Sequence, residues 1–404
     1  MSLGQLLLDC PCFLRSNIYV DSIKTDGDAP ITIGKHFTFD DEAAFRRKEA
    51  AFLRTLPVGA PDALVAAIRE IVVQREAMDR VALRRKRTIA RLGWVAKVPA
   101  LLATHGGLRA PLLVPRFAAL IEAAARGTLR HNELPKPVTK LGDGIFALGP
   151  AFSPELCAAL LGDVHSFNND AAITRASEAA PGDGTDGAFN LRGRPNSMNR
   201  HGVLLDEIGM RPFADALLLE IVRPLAAVLL PESGGATLDH HRAFTVSYEA
   251  PDDARDSSSA AALRRPRRGD TQLGLHFDNA EVTLNVCLGE SGFRGGGLRF
   301  YGDKWCPRMR EQPIEYQHEI GHAVLHAGGE LHAASPLEAG CTGLRTNVIL
   351  WARSVGFRRS SGCPMCGDTR NLQFRAYDMM MHNCSDSSGS TDSDAAAGGS
   401  CVCS

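Results

Sequence analysis

The sequence predicts an α+β protein: a jelly-roll domain with flanking helices, preceded by a mainly helical N-terminal region. Three observations predict it. Short runs rich in Val, Thr, Leu and Phe, punctuated by glycine, fill the chain after Asp239, the pattern of many short strands closing on one another. Before that point apolar residues recur at helical spacing. With 404 residues, the chain is long enough for more than one domain and for a core that needs no disulfide staples.

Composition narrows the classes. Lys and Arg number 45 against 46 Asp and Glu, a net charge of −1, which argues against whole-chain electrostatic binding to nucleic acid. No run approaches the roughly 18 apolar residues of a membrane span. Leu6-Leu7-Leu8 is too short for a signal peptide and follows no basic segment. The expectation is therefore a cytoplasmic or nuclear protein. Its 11 cysteines would there be free thiols or metal ligands.

The elements follow in order. Residues 1–133 form the N-terminal region. It opens with β-like stretches around Asn17–Val20 and Ile31–Phe39. Asp40 or Asp41 can then cap a helix carrying Ala44, Phe45 and later Phe52. A second helix starts at Pro61, a residue favoured in a first turn, and carries Leu64, Val65, Ile68, Ile71 and Val72. It turns basic at Arg84-Arg85-Lys86-Arg87. Such runs are usually a solvated face. No aromatic residue is interleaved, which weakens a nucleic-acid reading.

Residues 134–360 form the main domain. Ser153-Pro154-Glu155 opens a helix through Leu161, and Phe213–Leu230 reads as another. Strands are expected at Phe244–Tyr248, Glu281–Leu288, Gly297–Tyr301, His322–His326 and Thr346–Trp351, with a loop at Asp252–Gly269. Residues 361–404 form a cysteine-containing, largely disordered tail, because Ser385–Ser400 is too poor in apolar residues to offset the entropy of ordering.

The chemistry lies in His276-Phe277-Asp278, followed by His332 and Arg345. Residues two apart on a strand share a face, so His276 and Asp278 can reach one ion while Phe277 points away. Two imidazoles and one carboxylate on one side of an octahedral ion leave three positions open, the facial arrangement of non-haem Fe(II) oxygenases. Arg345 begins the strand that returns beside the metal, with Asn347 and Ile349 on its face. A buried guanidinium requires an anion, and its fork suits a carboxylate.

These residues carry a resemblance. His276-Phe277-Asp278, Thr283-Leu284-Asn285-Val286, Gly295-Gly296-Gly297-Leu298-Arg299-Phe300 and the Gly321–His332 segment resemble the catalytic domain of prolyl and lysyl hydroxylases that use Fe(II) and 2-oxoglutarate. Arg194-Pro195-Asn196-Ser197-Met198-Asn199-Arg200, Arg15-Ser16-Asn17-Ile18-Tyr19-Val20, Phe45-Arg46-Arg47 and Cys363-Pro364-Met365-Cys366 extend the similarity. They resemble the 2-oxoglutarate and iron-dependent oxygenase domain-containing protein 2 family over most of the chain. The resemblance implies a double-stranded β-helix with His276, Asp278 and His332 as iron ligands and Arg345 as the 2-oxoglutarate anchor. Tyr248 and Asn285 are further candidates for contacting 2-oxoglutarate, each with a plain packing alternative. The implied reaction consumes O2 and 2-oxoglutarate, yields succinate and CO2, and hydroxylates a C–H bond of a prolyl or lysyl side chain of a protein, with L-ascorbate as the rescuing reductant. Two departures stand out. The stretch from His332 to Arg345 is longer than in prolyl hydroxylases, and the missing signal peptide argues against collagen as substrate. The alternative reading is a catalytically silent β-helix that serves as a binding scaffold; an intact triad argues against it.

Rival sites are weaker. His322 and His326 are four residues apart, about 13 Å along a strand at ~3.3 Å per residue, too far for one ion to bridge. They read as structural or supporting groups, as do His240 and His241. Asn196 and Asn199 read first as turn chemistry, with substrate contact as the alternative. Cys363-x-x-Cys366 has the spacing of metal ligands, with Cys384, Cys401 and Cys403 as possible completing ligands. A zinc site normally needs a second well-spaced pair, so free thiols are the expectation.

Overall fold

The computed structural model describes residues 17–25, 30–179, 191, 195, 196, 198–251, 268–303, 310–354, 356 and 357. Among these residues two compact units are present: those up to residue 75, with 302, 303, 310 and 311, form one, and the remaining ones form the other. Residues 76–133 thus lie with the strand-rich part of the chain. The tail cysteines from Cys363 onward, and residues 252–267 of the expected loop, lie outside the described residues.

The first unit is built on an antiparallel pair, β1 (Asn17–Ile23) and β2 (Ile31–Thr38). Ile18, Val20, Ile33 and Phe37 pack against Phe45, Leu64 and Ile68 of the following helices. Asp41 caps the first of these, accepting a bond from the Ala44 amide at 2.8 Å. The helix Ala60–Arg91 begins one residue before the expected Pro61. Its basic run lies in the second unit, where two of its residues are paired. Arg85 makes two bonds to the Glu207 carboxylate, at 2.9 and 3.1 Å, and Lys86 reaches Asp206 at 2.8 Å.

The second unit holds two antiparallel sheets. In chain order its strands are β3 (Val138–Gly142), β4 (Ile145–Leu148), β5 (His240–Tyr248), β6 (Leu273–His276), β7 (Val282–Cys287), β8 (Leu298–Asp303), β9 (Ile314–Tyr316), β10 (Ala323–Ala327), β11 (Glu330–Ala334) and β12 (Arg345–Arg353). Six form one sheet in the order β3-β4-β10-β7-β12-β5, and four form the other as β6-β11-β8-β9. This is the expected jelly roll within an α+β fold. All five expected strands are present, and the strand expected through His276 is β6, which stops at that residue; β3, β4, β9 and β11 are additional.

Alternation along the strands builds two cores. Val282, Leu284, Val286, Leu325, Val348 and Leu350 face helices Pro115–Ala125, Pro154–Asn169 and the helical run from Arg211. Phe244, Val246, Tyr248 and Ile349 face the other way, toward Leu298, Phe300 and Ala334 of the four-stranded sheet. Every residue of β7 is therefore buried, as in sheets covered on both faces.

The helix expected at Phe213–Leu230 is helical over Arg211–Leu229, with a π segment at Leu217–Val222. Pro224 lacks an N–H and its ring would crowd the carbonyl four residues back. A widened turn accommodates it. The helix expected from Ser153 runs on to Asn169, with the Ser153 hydroxyl accepting from the Leu156 amide at 3.2 Å.

Candidate metal and cosubstrate site

The inward positions of the large sheet are apolar except around one pocket. Asn285 and Thr283 on β7, His326 on β10, and Arg345 and Asn347 on β12 line it. Strand register brings them together: His326 pairs with Thr283, and Ile349 with Asn285. From the smaller sheet, His332 on β11 pairs with His276 on β6.

One expectation requires correction. His276 and Asp278 do not share a strand, because β6 ends at His276. Asp278 lies in the irregular stretch that follows, where its backbone N–H donates to the Gly328 carbonyl at 3.0 Å. The side chains converge nonetheless. One donor atom from each of His276, Asp278 and His332 lies within 4.8 Å of the others. The Nε2 atoms of His276 and His332 stand 3.7 and 3.9 Å from the two Asp278 oxygens.

The second ring nitrogens fix the tautomers. His276 Nδ1 lies 2.9 Å from the Gly274 carbonyl oxygen and His332 Nδ1 lies 2.8 Å from that of Glu330. A carbonyl only accepts, so Nδ1 carries the proton and Nε2 offers a lone pair. Burial, reinforced by the charge of His276, holds His332 down to about 3, so its ring is neutral near pH 7. Burial pushes the Asp278 carboxyl up, but the imidazoles of His332, His276 and His326 and the Thr283 hydroxyl, bonded at 2.6 Å, pull it below its ordinary value. A buried carboxylate, the buried His332 and the half-buried His276, each imidazole presenting Nε2, make up the donor set that a divalent ion requires.

His326, expected to be structural or supporting, lies closer than the sequence suggested. It is fully buried, its Nε2 is 3.7 Å from Asp278 Oδ2, and no hydrogen-bond partner reaches that nitrogen. His322 is apart from it, with its ring near Glu319. His240 and His241 pair with Asp239 and Asp215.

Arg345 is 2% exposed. Its Nη1 donates to the Gly296 carbonyl at 2.5 Å, its Nε has no partner, and its guanidinium carbon sits 4.1 Å from the centre of the Tyr248 ring. Among the described residues no carboxylate pairs with it; burial lowers its pKa, and only Tyr248 and Cys287 oppose this. Asn347 donates to Asn285 Oδ1 at 2.6 Å and to His318 Nδ1 at 3.2 Å. Sequence reasoning missed His318 as a member of this polar cluster. Asn196 and Asn199 also line the pocket.

A family model for the OGFOD2-like domain matches residues 107–235. The human 2-oxoglutarate and iron-dependent oxygenase domain-containing protein 2 is 34% identical over 367 residues, covering 88% of each chain. An Arabidopsis thaliana relative, 2-oxoglutarate and iron-dependent oxygenase domain-containing protein CP2, is 31% identical and covers 66% of this chain and 61% of its own. Among solved structures, a Pseudomonas putida prolyl-4-hydroxylase aligns with 12% identity and a TM-score of 0.31, over 59% of this chain and 96% of that one. With more than a third of residues shared with the human protein across nearly nine-tenths of both sequences, the chain belongs to the 2-oxoglutarate and iron-dependent oxygenase domain-containing protein 2 family.

Proposed function

We propose that this oxygenase couples oxidative decarboxylation of 2-oxoglutarate to hydroxylation of a C–H bond in a prolyl or lysyl side chain of a protein. One observation carries the reading of the site. A buried guanidinium without an acidic partner among the described residues lines the same pocket as a two-histidine, one-carboxylate cluster. A buried cation calls for an anion, and 2-oxoglutarate has a free carboxylate at the end remote from its keto acid.

In this reading His276, Asp278 and His332 hold Fe(II). When bound, iron supplies the redox chemistry by which O2, 2-oxoglutarate and the substrate C–H give succinate, CO2 and an alcohol. The chain's own groups do the rest. Arg345 and Tyr248 bind the distal carboxylate, and Asn285 contributes polarity on the same wall. Thr283 holds one Asp278 oxygen, which keeps the carboxylate oriented. Phe244, Val246, Leu298, Ile349 and Trp351 supply apolar walls that limit water, so that polar contacts inside gain strength. L-ascorbate as reductant and a cytoplasmic or nuclear location belong to the same proposal.

The test is succinate release from 2-oxoglutarate by the purified chain with Fe(II), alone and with prolyl- or lysyl-containing peptides. Release that rises with one peptide, together with one oxygen atom gained by that peptide, is the expected result. No release, with Fe(II) and 2-oxoglutarate both failing to bind, would favour the silent scaffold.

A further inference from the structure

The stretch of residues 198–205, with Asn196 before it, lies outside the ten strands, yet Asn196 and Asn199 line the site. The stretch runs along β5, where the Thr245 and Ser247 amides donate to the Val203 and His201 carbonyls at 2.8 and 3.1 Å. Gly202 permits this approach: at a φ of 145°, an added Cβ would lie 1.9 Å from the Thr245 carbonyl oxygen. The Asn196 side chain folds the turn, accepting from the Met198 and Asn199 amides at 2.9 and 2.7 Å.

Asn199 does more than complete that turn. It is 1% exposed. Its Oδ1 accepts from Asn196 Nδ2 at 3.0 Å. Its Nδ2 lies 3.2 Å from Asp270 Oδ2 and 3.2 Å from the Tyr248 hydroxyl. A carboxylate only accepts, so the atom facing Asp270 must be the amide nitrogen, and the same nitrogen donates to Tyr248. Asp270 is itself anchored by the Arg200 amide at 3.0 Å.

The polarity of the tyrosine follows. Asn199, which reaches its hydroxyl, is a donor, while the Arg345 guanidinium lies over its ring. The oxygen is therefore an acceptor on that side, and its own proton is left without a protein acceptor among the described residues. Burial keeps the phenol protonated.

We propose that Asn199, oriented by Asp270, is a positioning residue that turns the Tyr248 O–H toward the anion held by Arg345. This rests on the reading of the pocket as a 2-oxoglutarate site. It makes the segment before the jelly roll part of cosubstrate recognition. Asn199 acts only through the hydroxyl, so its contribution vanishes when the hydroxyl is absent.

The experiment is equilibrium binding of 2-oxoglutarate to the full chain loaded with Mn(II), which needs no turnover, in a double-mutant cycle. Wild type, Asn199→Ala, Tyr248→Phe and the double variant are compared, with Arg345→Ala alongside. One neutral hydrogen bond corresponds to about 2–12-fold in affinity. Asn199→Ala is expected to weaken binding by that factor, and the double variant to bind no worse than Tyr248→Phe. In turnover, the KM for 2-oxoglutarate should rise with kcat little changed. An equal further loss from Asn199→Ala in the Tyr248→Phe background, or no loss in the wild-type background, overturns the proposal. If Asn199→Ala unfolds, Asn199→Ser, whose hydroxyl is too short to reach Tyr248, takes its place in the same cycle. Failure of wild type to bind 2-oxoglutarate at all overturns the cosubstrate reading and this inference together; binding lost on Arg345→Ala but indifferent to Asn199 overturns this inference alone.

Discussion

Substituting Arg345 by alanine separates ligand recognition from folding. The guanidinium is buried, holds one carbonyl and lies over the Tyr248 ring, with no partner for Nε among the described residues. Removing it forfeits a cation–π contact of about 0.5–2 kcal/mol and relieves a desolvated charge that no carboxylate among the described residues offsets. These oppose each other, so thermal stability should move by only a few degrees. Ligand binding has no such compensation. A charge-assisted contact to a carboxylate is worth about 1.5–3 kcal/mol, or about 10–150-fold in 2-oxoglutarate affinity. The assay is the apparent KM for 2-oxoglutarate by succinate release, with Fe(II) affinity measured separately. Iron binding should barely change, because the triad is untouched. Arg345→Lys should recover part of the loss, keeping charge without the fork. An unchanged KM for Arg345→Ala, with a raised KM for Arg353→Ala, would refute the reasoning. Arg353 is engaged elsewhere, donating to the Asn279 carbonyl at 2.7 Å.

Alanine at His276, Asp278 or His332 should abolish 2-oxoglutarate decarboxylation and weaken Fe(II) binding, whereas His326→Ala should retain the metal; metal content after dialysis reads both. Ser153→Ala removes a helix cap and should cost about 1 kcal/mol in denaturant unfolding with an unchanged slope. Burial raises Cys157 to about 11 and Cys287 to about 12. At pH 8 their thiolate fractions are then on the order of 10⁻³ and 10⁻⁴, so native alkylation followed by peptide mapping should leave both unmodified until the chain is unfolded.

How far the sequence reveals this site depends on what kind of signal each residue carries. Arg345 is legible because a charged residue starts a strand whose centre, Val348–Trp351, is apolar. Val348, Leu350 and Ala352 are buried on one face of β12, and Arg345, Asn347 and Ile349 line the pocket on the other. β11 escapes notice because Glu330-Leu331-His332-Ala333-Ala334 contains no β-branched residue, and strand propensity is low without one. Its pairing with β6 makes it a strand. Asp278 lies in the irregular stretch after β6 rather than on the two-residue repeat of a strand, so its convergence with His276 and His332 does not follow from the spacing. Asn199 is harder still. Its partners Tyr248 and Asp270 are remote in sequence, and only the strand-like path beside β5 brings them together. Turn chemistry does explain Asn196, whose side chain closes the local bonds.

The chemistry of the pocket is also written in what it leaves unsatisfied. Natural interiors pair nearly all of their buried polar atoms, and an unpaired one costs about 1–3 kcal/mol. Among the described residues eight buried side-chain atoms lack a partner, and those of His326, Arg345, Asn347 and Trp351 belong to residues lining this pocket. Half of the deficit thus gathers where the two sheets meet. These atoms differ in character: a guanidinium N–H donates, an amide oxygen accepts, and His326 Nε2 faces an anionic carboxylate while its Nδ1 donates to the Ala327 carbonyl at 2.9 Å. A hydrophobic replacement could not satisfy them, and water alone would leave the cation without its counter-charge. A cation beside Asp278 together with an anion beside Arg345 satisfies both ends, which is the distribution of charge expected for a metal ion and a dicarboxylate bound side by side.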